Sequence, residues 1–530
     1  MGAYINIGNA GFQRIRRSEY IDKSGLIAEV NKTLFTEQCF SCVTRCRRFG
    51  KSMAAKMLCA YYDHSCDSRS LFADLQIAKD PSFEEHLNKY PVLYLDLSEF
   101  VSRFHDDDVV GKIDSALKVG VLEAYPDVAV KNDDDLMDCL IRIMEATGEH
   151  FMFIIDEWDA ICREFKVGTK TMDSYVDWLR RMFKGVNASR VFSGVYMTGI
   201  LPIKKYKTQS ALNNFWEYSM VYPAKMASFF GFTKDEVRAL ALKHGADFDE
   251  LEKWYDGYQI GKEPSMFNPS SVMKAVNNEV CSSYWASTGA FETVSDYIKM
   301  NFQGLKDDII ALIAGGRTKV NPTKFSNDMS DIRSRDDVLT VLIHLGYLAY
   351  DYKKSEVFIP NKEVEMEMTN AVEDTDWNNI IDLIRQSEVL LDATLEGDSE
   401  TVARALDAAH DENTSILSYN NENSLACVIN LAYIYAKNDY IFFREFPSGK
   451  GYADLVLIPR KNVDKPALVI ELKYDKDAVA AIDQIKRRRY PEKVAQYIDN
   501  LILVGINYDK QQKTHECHIE KYEGDKDHAV

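Results

Sequence analysis

Arg45-Cys46-Arg47-Arg48-Phe49-Gly50-Lys51-Ser52 is the stretch on which the fold turns. A Walker A loop needs backbone amides curled around phosphates, a lysine reaching their oxygens, and a Ser or Thr on magnesium. Gly50-Lys51-Ser52 supplies the end of that pattern in the right register, with Arg45 where a glycine is usual. Gly-Lys-Ser alone arises by chance, so context decides. A strand-like run, 38–43, precedes it, and an Ala- and Met-rich helical stretch, 53–62, follows it. The motif requires this order of strand, tight turn and helix.

Working outward, apolar runs at 92–97, 151–155 and 190–198 read as strands, with helical stretches between them. Continuous apolar strands alternating with helices predict a parallel sheet covered on both faces. The run 151–155 ends in Asp156-Glu157, the Walker B form. In that reading Asp156 holds magnesium, usually through water, and Glu157 orients or deprotonates the attacking water. A solvated loop after a buried strand is the bland alternative. The two motifs in the correct order favour ATP binding, with hydrolysis a further step. Thr198, at the tip of the next strand, is placed to sense the γ-phosphate; an ordinary strand-end threonine explains it nearly as well.

The texture changes near Pro223. Thr233 with Glu236 three residues on is a capping box. The stretches 254–258 and 266–269 read as aromatic turns between helices, so an all-helical lid is expected. A helix at 338–348 and a hairpin at 349–359, with Lys353-Lys354 at its tip, resemble the end of a winged helix. The segment 374–411 reads as an amphipathic helical spacer. The expected domains are an ATPase core at 1–228, lid and winged-helix-like region at 229–365, spacer at 366–415, and a last domain at 416–530.

That last domain is built around Ala467-Leu468-Val469-Ile470-Glu471-Leu472-Lys473. Strand alternation points Glu471 and Lys473 the same way. Asp454 opens the apolar run before it. Glu422 lies on an expected helix at 422–437, and Gln484 and Lys486-Arg487-Arg488-Arg489-Tyr490 follow the strand. Two carboxylates and a lysine suit metal-dependent cleavage of a phosphodiester. Each item has a dull counterpart: Glu-x-Lys is common on strands, and a basic run is usually a solvated helix face. The order of the whole set is what favours a nuclease site.

Together, Ile15-Arg16, Tyr20-Ile21-Asp22-Lys23-Ser24, Thr44 to Ser52, Ile155-Asp156-Glu157-Trp158-Asp159, Thr198-Gly199 and Trp254-Tyr255-Asp256-Gly257-Tyr258 closely resemble the predicted AAA-ATPase-like family of bacteria and archaea. Its members typically carry a carboxyl-terminal PD-(D/E)XK nuclease domain. Arg at the position of Arg45 is usual in that family, and Cys46 replaces its usual proline. The resemblance implies an α/β chain: a P-loop NTPase sheet of the additional-strand type, then a restriction-endonuclease-like domain. It implies Gly50, Lys51 and Ser52 on nucleotide and magnesium, with Arg47 and Arg48 reaching phosphate or a neighbouring subunit. It implies Asp454, Glu471 and Glu422 as metal ligands (magnesium or manganese) and Lys473 as the catalytic lysine. Gln484, Lys486, Arg487 and Tyr490 would contact the metal or DNA. AAA-type sites often complete themselves across subunits, so a homo-oligomer is expected, although no arginine finger is assignable.

Composition bounds these readings. At 530 residues, several domains are required. With 46% hydrophobic and 28% charged residues, and 29 Tyr and 26 Phe, extensive disorder is excluded. No uninterrupted apolar stretch is long enough to span a bilayer and residues 1–17 lack an apolar signal core, so no membrane partner and no export are expected. Ten scattered cysteines suit a reducing cytoplasm, and Cys39-x-x-Cys42 reads as buried strand cysteines. The net charge of −18 excludes nonspecific coating of nucleic acid by the whole surface. Two functions remain: an ATP-regulated, magnesium-dependent nuclease acting on DNA, or an ATP-dependent switch whose nuclease fold binds nucleic acid or a partner without cutting.

Overall fold

The computed structural model describes residues 4–104, 108–131, 133–165, 169–203, 212–285, 290–300, 302–313, 316–325, 332–373, 378–413, 429, 432–433, 435–436, 439–448, 451–459, 463–487 and 500–522. Glu422 and Tyr490 lie outside them, as do Arg488, Arg489, the expected helix 491–499 and most of the expected helix 422–437. The chain divides into two units, residues 1–287 with 319–364, and 288–318 with 365–530.

In the first unit, strands β1 (Phe40–Thr44), β2 (Val92–Asp96), β3 (Phe151–Asp156), β4 (Phe192–Gly199) and β5 (Trp216–Tyr218) form one sheet in the order β2-β3-β4-β1-β5. Every neighbouring pair is parallel. β4 thus separates β1, which leads into the phosphate loop, from β3, which ends at Asp156. This is the additional-strand arrangement. The central strands are apolar throughout because both faces are covered: Phe153, Ile155 and Met197 enter one core, while Ile154, Tyr196 and Val43 enter the other. Residue 190, expected in the fourth strand, instead lies in the helix Val186–Val191. The fifth strand, β5, is three residues long and carries no apolar run that would announce it.

The region after Pro223 is not purely helical. Strands β6 (Phe232–Thr233), β7 (Tyr258–Ile260) and β8 (Glu263–Phe267) form a small antiparallel sheet. Two glycines with left-handed backbone, Gly257 (φ 102°) and Gly261 (φ 63°), bracket β7 and turn what read as an aromatic loop into a hairpin. The expected capping box is present: Thr233 and Glu236 cap the helix Lys234–His244 reciprocally. The helix Arg335–Leu345 precedes an antiparallel hairpin of β9 (Ala349–Asp351) and β10 (Glu356–Phe358), with Lys353 and Lys354 in its turn.

Gly257 ties this region together. A Cβ there would sit 1.9 Å from the Pro360 carbonyl oxygen, on a backbone that L side chains rarely adopt. Gly257→Ala is expected to destabilise the protein by about 3 kcal/mol or more, read as a fall in the midpoint of denaturant unfolding. An unchanged midpoint would contradict this packing.

In the second unit, the helices Asn378–Glu396 and Ser399–Asn413 lie in the expected spacer, but they are part of this unit's core: Leu390, Leu391, Val402 and Leu406 cluster with Leu468, Ile470 and Leu472. Strands β11 (Tyr440–Ser448), β12 (Gly451–Pro459), β13 (Ala467–Tyr474), β14 (Leu501–Asp509) and β15 (Thr514–Lys521) form a mixed sheet in that order. Only the β13–β14 pairing is parallel. Along β13, Leu468, Ile470 and Leu472 enter one core. Ala467 and Val469 enter the other, beneath the helix Ala478–Arg487. Alternation therefore places Glu471 and Lys473 on the helix side.

Candidate functional site

The phosphate loop is shaped by backbone strain and by one buried arginine. Arg48 (φ 69°) and Gly50 (φ 87°) are left-handed, and Gly50 caps the helix Lys51–Tyr62. A Cβ on Gly50 would meet nothing within 4 Å, so the backbone there opens onto free space. A helix N-terminus with accessible amides attracts phosphate. Arg45 does not face that space. Its guanidinium is fully buried and donates to the carbonyls of Thr44 and Tyr218 (both 2.8 Å) and Met226 (2.9 Å), beside the Phe230 ring. Burial pulls its pKa down to about 10. Arg45 is a brace for the loop, and its side chain fills the room a glycine would leave empty.

The loop opens into a cavity of about 540 Å³, within the range of small-ligand sites. Arg47, Arg48, Gly50, Lys51, Ser52 and Glu157 line it, and Met53, Met57, Phe229, Phe232 and Met273 give it an apolar wall. Lys51 is buried; its ammonium donates to the Cys46 carbonyl at 3.1 Å and lies 3.7 Å from Glu157 Oε1. Arg48 also donates to the Tyr284 carbonyl. Asp156 and Thr198 are buried and are not among the lining residues.

Asp156 is a buried carboxylate with a perturbed titration. Burial pushes its carboxyl up to about 6, against the Ser52 hydroxyl, which pulls it down; the charges of Asp96 and Glu157 add to the rise. Asp96 stands directly opposite on β2. Among the described residues, the buried Asp156 Oδ2 has no hydrogen-bond partner, nor has the Thr198 hydroxyl. An orphaned carboxylate oxygen beside Ser52 fits a hard divalent cation.

The pH dependence follows. The folded carboxyl holds its proton to about pH 6 and the unfolded one only to its ordinary 3.8. Ionising Asp156 therefore costs stability as pH rises from about 4 to about 6, and the cost persists above that window. Asp156→Asn is expected to raise the stability of the ligand-free protein at pH 8 by on the order of 2–3 kcal/mol, and to change it little at pH 4. Paired melting curves at the two pH values test this; an equal effect at both would remove the buried-charge account.

The sequence reading missed two features here. Arg163, in the short helix Ala160–Glu164, contacts Glu157 at 2.5 Å and Asp159 at 3.3 Å. Its i,i+4 spacing from Asp159 was the available signal. Lys23, of the early Tyr20–Ser24 motif, donates to both oxygens of Glu236 (2.7 Å) and to the Ser228 carbonyl (2.9 Å). Glu236 thus caps its own helix and anchors the cavity wall.

The second unit brings its own set together. Lys473 Nζ donates to Glu471 Oε1 at 2.8 Å and to the Leu472 carbonyl at 3.1 Å. Gln484 Nε2 donates to the same Glu471 oxygen. Asp454 Oδ2 accepts the Leu472 N–H at 2.7 Å, which pins it against β13. Glu471 and Lys473 are both buried. Among the described residues no group of three His, Cys, Asp or Glu side chains is arranged around one point. The two described carboxylates and the Leu472 carbonyl are all hard oxygens, and magnesium commonly takes one or two carboxylates with water and substrate oxygens. The residues fit that ion. Lys486 pairs with Glu520 on β15, and Arg487 donates to the Asp483 carbonyl at 3.3 Å. Neither is directed at the Glu471 cluster by these contacts.

Comparison with known proteins matches both units. Residues 6–208 match the AAA-ATPase-like family, described as a predicted AAA-ATPase. Residues 420–517 match the PD-(D/E)XK nuclease superfamily. The resemblance drawn from the motifs holds at both ends. A curated relative, an uncharacterized protein in the vnfD 5' region of Azotobacter chroococcum mcd 1, is 25% identical over 292 residues. That match spans 54% of this chain and 54% of the relative, so about half of each. Among solved structures, the Aeropyrum pernix ORC1 protein in complex with DNA gives a TM-score of 0.25 at 12% identity, covering 70% of this chain and 97% of that one. AMPPCP-bound DnaA from Aquifex aeolicus gives 0.21 at 8% identity, covering 70% and 95%. At such TM-scores neither bears on function. No helix among the described residues is long and apolar enough to cross a membrane.

Proposed function

We propose that this chain, which joins a predicted AAA-ATPase domain to a domain of the PD-(D/E)XK nuclease superfamily, binds and hydrolyses ATP and cleaves DNA phosphodiesters with magnesium. The supporting observation is the pair of preformed clusters: Lys51 and Ser52 lining one cavity, with the buried Asp156 carboxylate behind them against the Ser52 hydroxyl, and Asp454, Glu471, Lys473 and Gln484 on and beside β13.

At the first, the open Gly50 backbone and the Lys51 ammonium receive the phosphates of ATP, and Ser52 and Asp156 would hold magnesium. Met53, Met57, Phe229 and Phe232 give the rest of the nucleotide an apolar surface. Glu157 takes the proton of the attacking water. At the second, Asp454, Glu471 and the Leu472 carbonyl would hold magnesium. A bound divalent ion there acidifies water and neutralises charge on the scissile phosphate. Gln484 and Lys473 hold the Glu471 carboxylate in place, and Lys473 releases it to stabilise the developing phosphorane charge. Ser52 and Asp156 at one site, and Glu471 and Asp454 at the other, make both activities dependent on the same cation.

The test is a cleavage assay on supercoiled plasmid, linear duplex, single-stranded DNA and RNA, with magnesium or manganese, with and without ATP. Metal-dependent nicking of DNA is expected. ATP turnover without cutting on any substrate would favour the switch reading. The chain's charge of −18 and the Lys486–Glu520 pairing are the observations on that side.

A further inference from the structure

Glu157 is held in an unusual way. Its backbone is left-handed (φ 52°), a conformation that costs a non-glycine residue roughly 1 kcal/mol or more and persists only where surroundings enforce it. Its carboxylate stands between two cations. Oε2 meets Arg163 Nη2 at 2.5 Å; Oε1 lies 3.7 Å from Lys51 Nζ, too far for a hydrogen bond. Arg163 also forms an ion pair with Asp159, its Nε 3.3 Å from Oδ2 without a hydrogen bond between them. Asp159 is fully buried and cannot move: it accepts the Leu201 N–H at 2.9 Å and the Ile200 N–H at 3.2 Å, just past the end of β4. Gly199 leaves the space for this, since a Cβ there would sit 2.5 Å from Asp159 Oδ1.

We propose that Arg163 is a positioning residue for ATP hydrolysis: anchored through Asp159 to the tip of β4, it holds the Glu157 carboxylate in a loose 3.7 Å ion pair with the Lys51 ammonium without letting the two close to a hydrogen bond. The proposal rests on the nucleotide reading above. Without Arg163, the nearest cation to Glu157 would be Lys51 itself. A closed, hydrogen-bonded Lys51–Glu157 contact would take the base out of line and occupy the ammonium the phosphates need. With Arg163 in place, Lys51 stays available and Glu157 stays aimed. In the step served, the water oxygen bonds to the γ-phosphorus and the bond from that phosphorus to the β–γ bridging oxygen breaks. Its electron pair leaves on ADP. The water's proton passes to Glu157 and from there to the released phosphate.

The experiment uses the full chain. Steady-state ATP turnover and calorimetric binding of a non-hydrolysable ATP analogue with magnesium are measured for wild type, Arg163→Ala, Arg163→Lys, Glu157→Gln and the Glu157→Gln/Arg163→Ala double variant, with melting curves for each. Arg163→Ala is expected to lower kcat roughly tenfold or more while analogue affinity stays within about threefold. Arg163→Lys restores part of kcat. In the Glu157→Gln background, losing Arg163 costs no further turnover, because the group it positions is already gone. Turnover of Arg163→Ala within about twofold of wild type overturns the proposal. So does an undiminished loss in the Glu157→Gln background, which would make Arg163 merely structural. If Arg163→Ala does not fold, the Lys variant and its double variant with Glu157→Gln decide by the same criteria. Wild-type protein that binds no analogue defeats the nucleotide reading itself, a different result from failure of the Arg163 variants alone; binding without turnover overturns both hydrolysis and the role of Arg163.

Discussion

Lys51→Ala is expected to weaken ATP binding about 100-fold while leaving the fold intact. The ammonium is buried at the mouth of the loop, held by one carbonyl and kept 3.7 Å from Glu157. It is thus prepared in advance, and a phosphate oxygen entering the cavity would exchange a neutral partner for a charged one. Charge-assisted hydrogen bonds of this kind contribute about 1.5–3 kcal/mol, and more where water is excluded. A loss of about 100-fold in affinity follows, with turnover falling below detection. The fold should survive because Arg45, not Lys51, braces the loop against Tyr218 and Met226. Calorimetric titration of the magnesium complex of ATP into wild type and variant measures this. Affinity within about threefold of wild type would remove Lys51 from the site.

Glu471→Gln is expected to eliminate metal-dependent DNA cleavage. Glutamine preserves the shape of the side chain, and Gln484 retains an oxygen to which it can donate. What is lost is the negative charge that would hold the metal next to the scissile phosphate. Metal-supported stabilisation of the transition state is worth several kcal/mol, so a drop of about a thousandfold is expected, beyond the reach of a nicking assay. Lys473→Ala is a poorer probe of chemistry. It removes the cation paired with a buried carboxylate, and breaking a buried pair in this way costs about 3–5 kcal/mol of stability. Cutting by a well-folded Glu471→Gln protein at wild-type rate would refute the site.

Much of this was legible in the chain, and the reasons are local. Buried parallel strands must be apolar on both faces, so β2, β3 and β4 declare themselves as runs. A phosphate loop joins one strand directly to one helix, so Gly50-Lys51-Ser52 can be read from its flanks. Alternation alone puts Glu471 and Lys473 on one face. The rest depended on partners distant in sequence. β5 is three residues whose only qualification is a free edge beside β1. The sheet after Pro223 exists because Gly257 and Gly261 accept left-handed backbone, which no periodicity reveals. Arg45 stood out only for replacing the usual glycine; Tyr218 and Met226 are what make it a brace. Arg163 gains its meaning from Glu157 and from two amides near residue 200.

The back of the phosphate loop is made by chain that is synthesised much later. Phe49 packs edge-on against Tyr258, with ring centres 5.1 Å apart. The Tyr258 hydroxyl donates to the Gly346 carbonyl at 2.8 Å, and a Cβ on Gly346 would lie 2.6 Å from that of Cys46. Cys46 and Gly346 are 300 positions apart. At ribosomal rates of 5–20 residues per second, roughly 15–60 seconds separate the emergence of the two. Until then Phe49 is an uncovered aromatic side chain on a strained loop. The nascent chain lacks the finished loop, and truncation at residue 228 would leave the loop permanently in that unfinished state. Birth order makes the site that begins the sequence one of the last parts of its unit to mature.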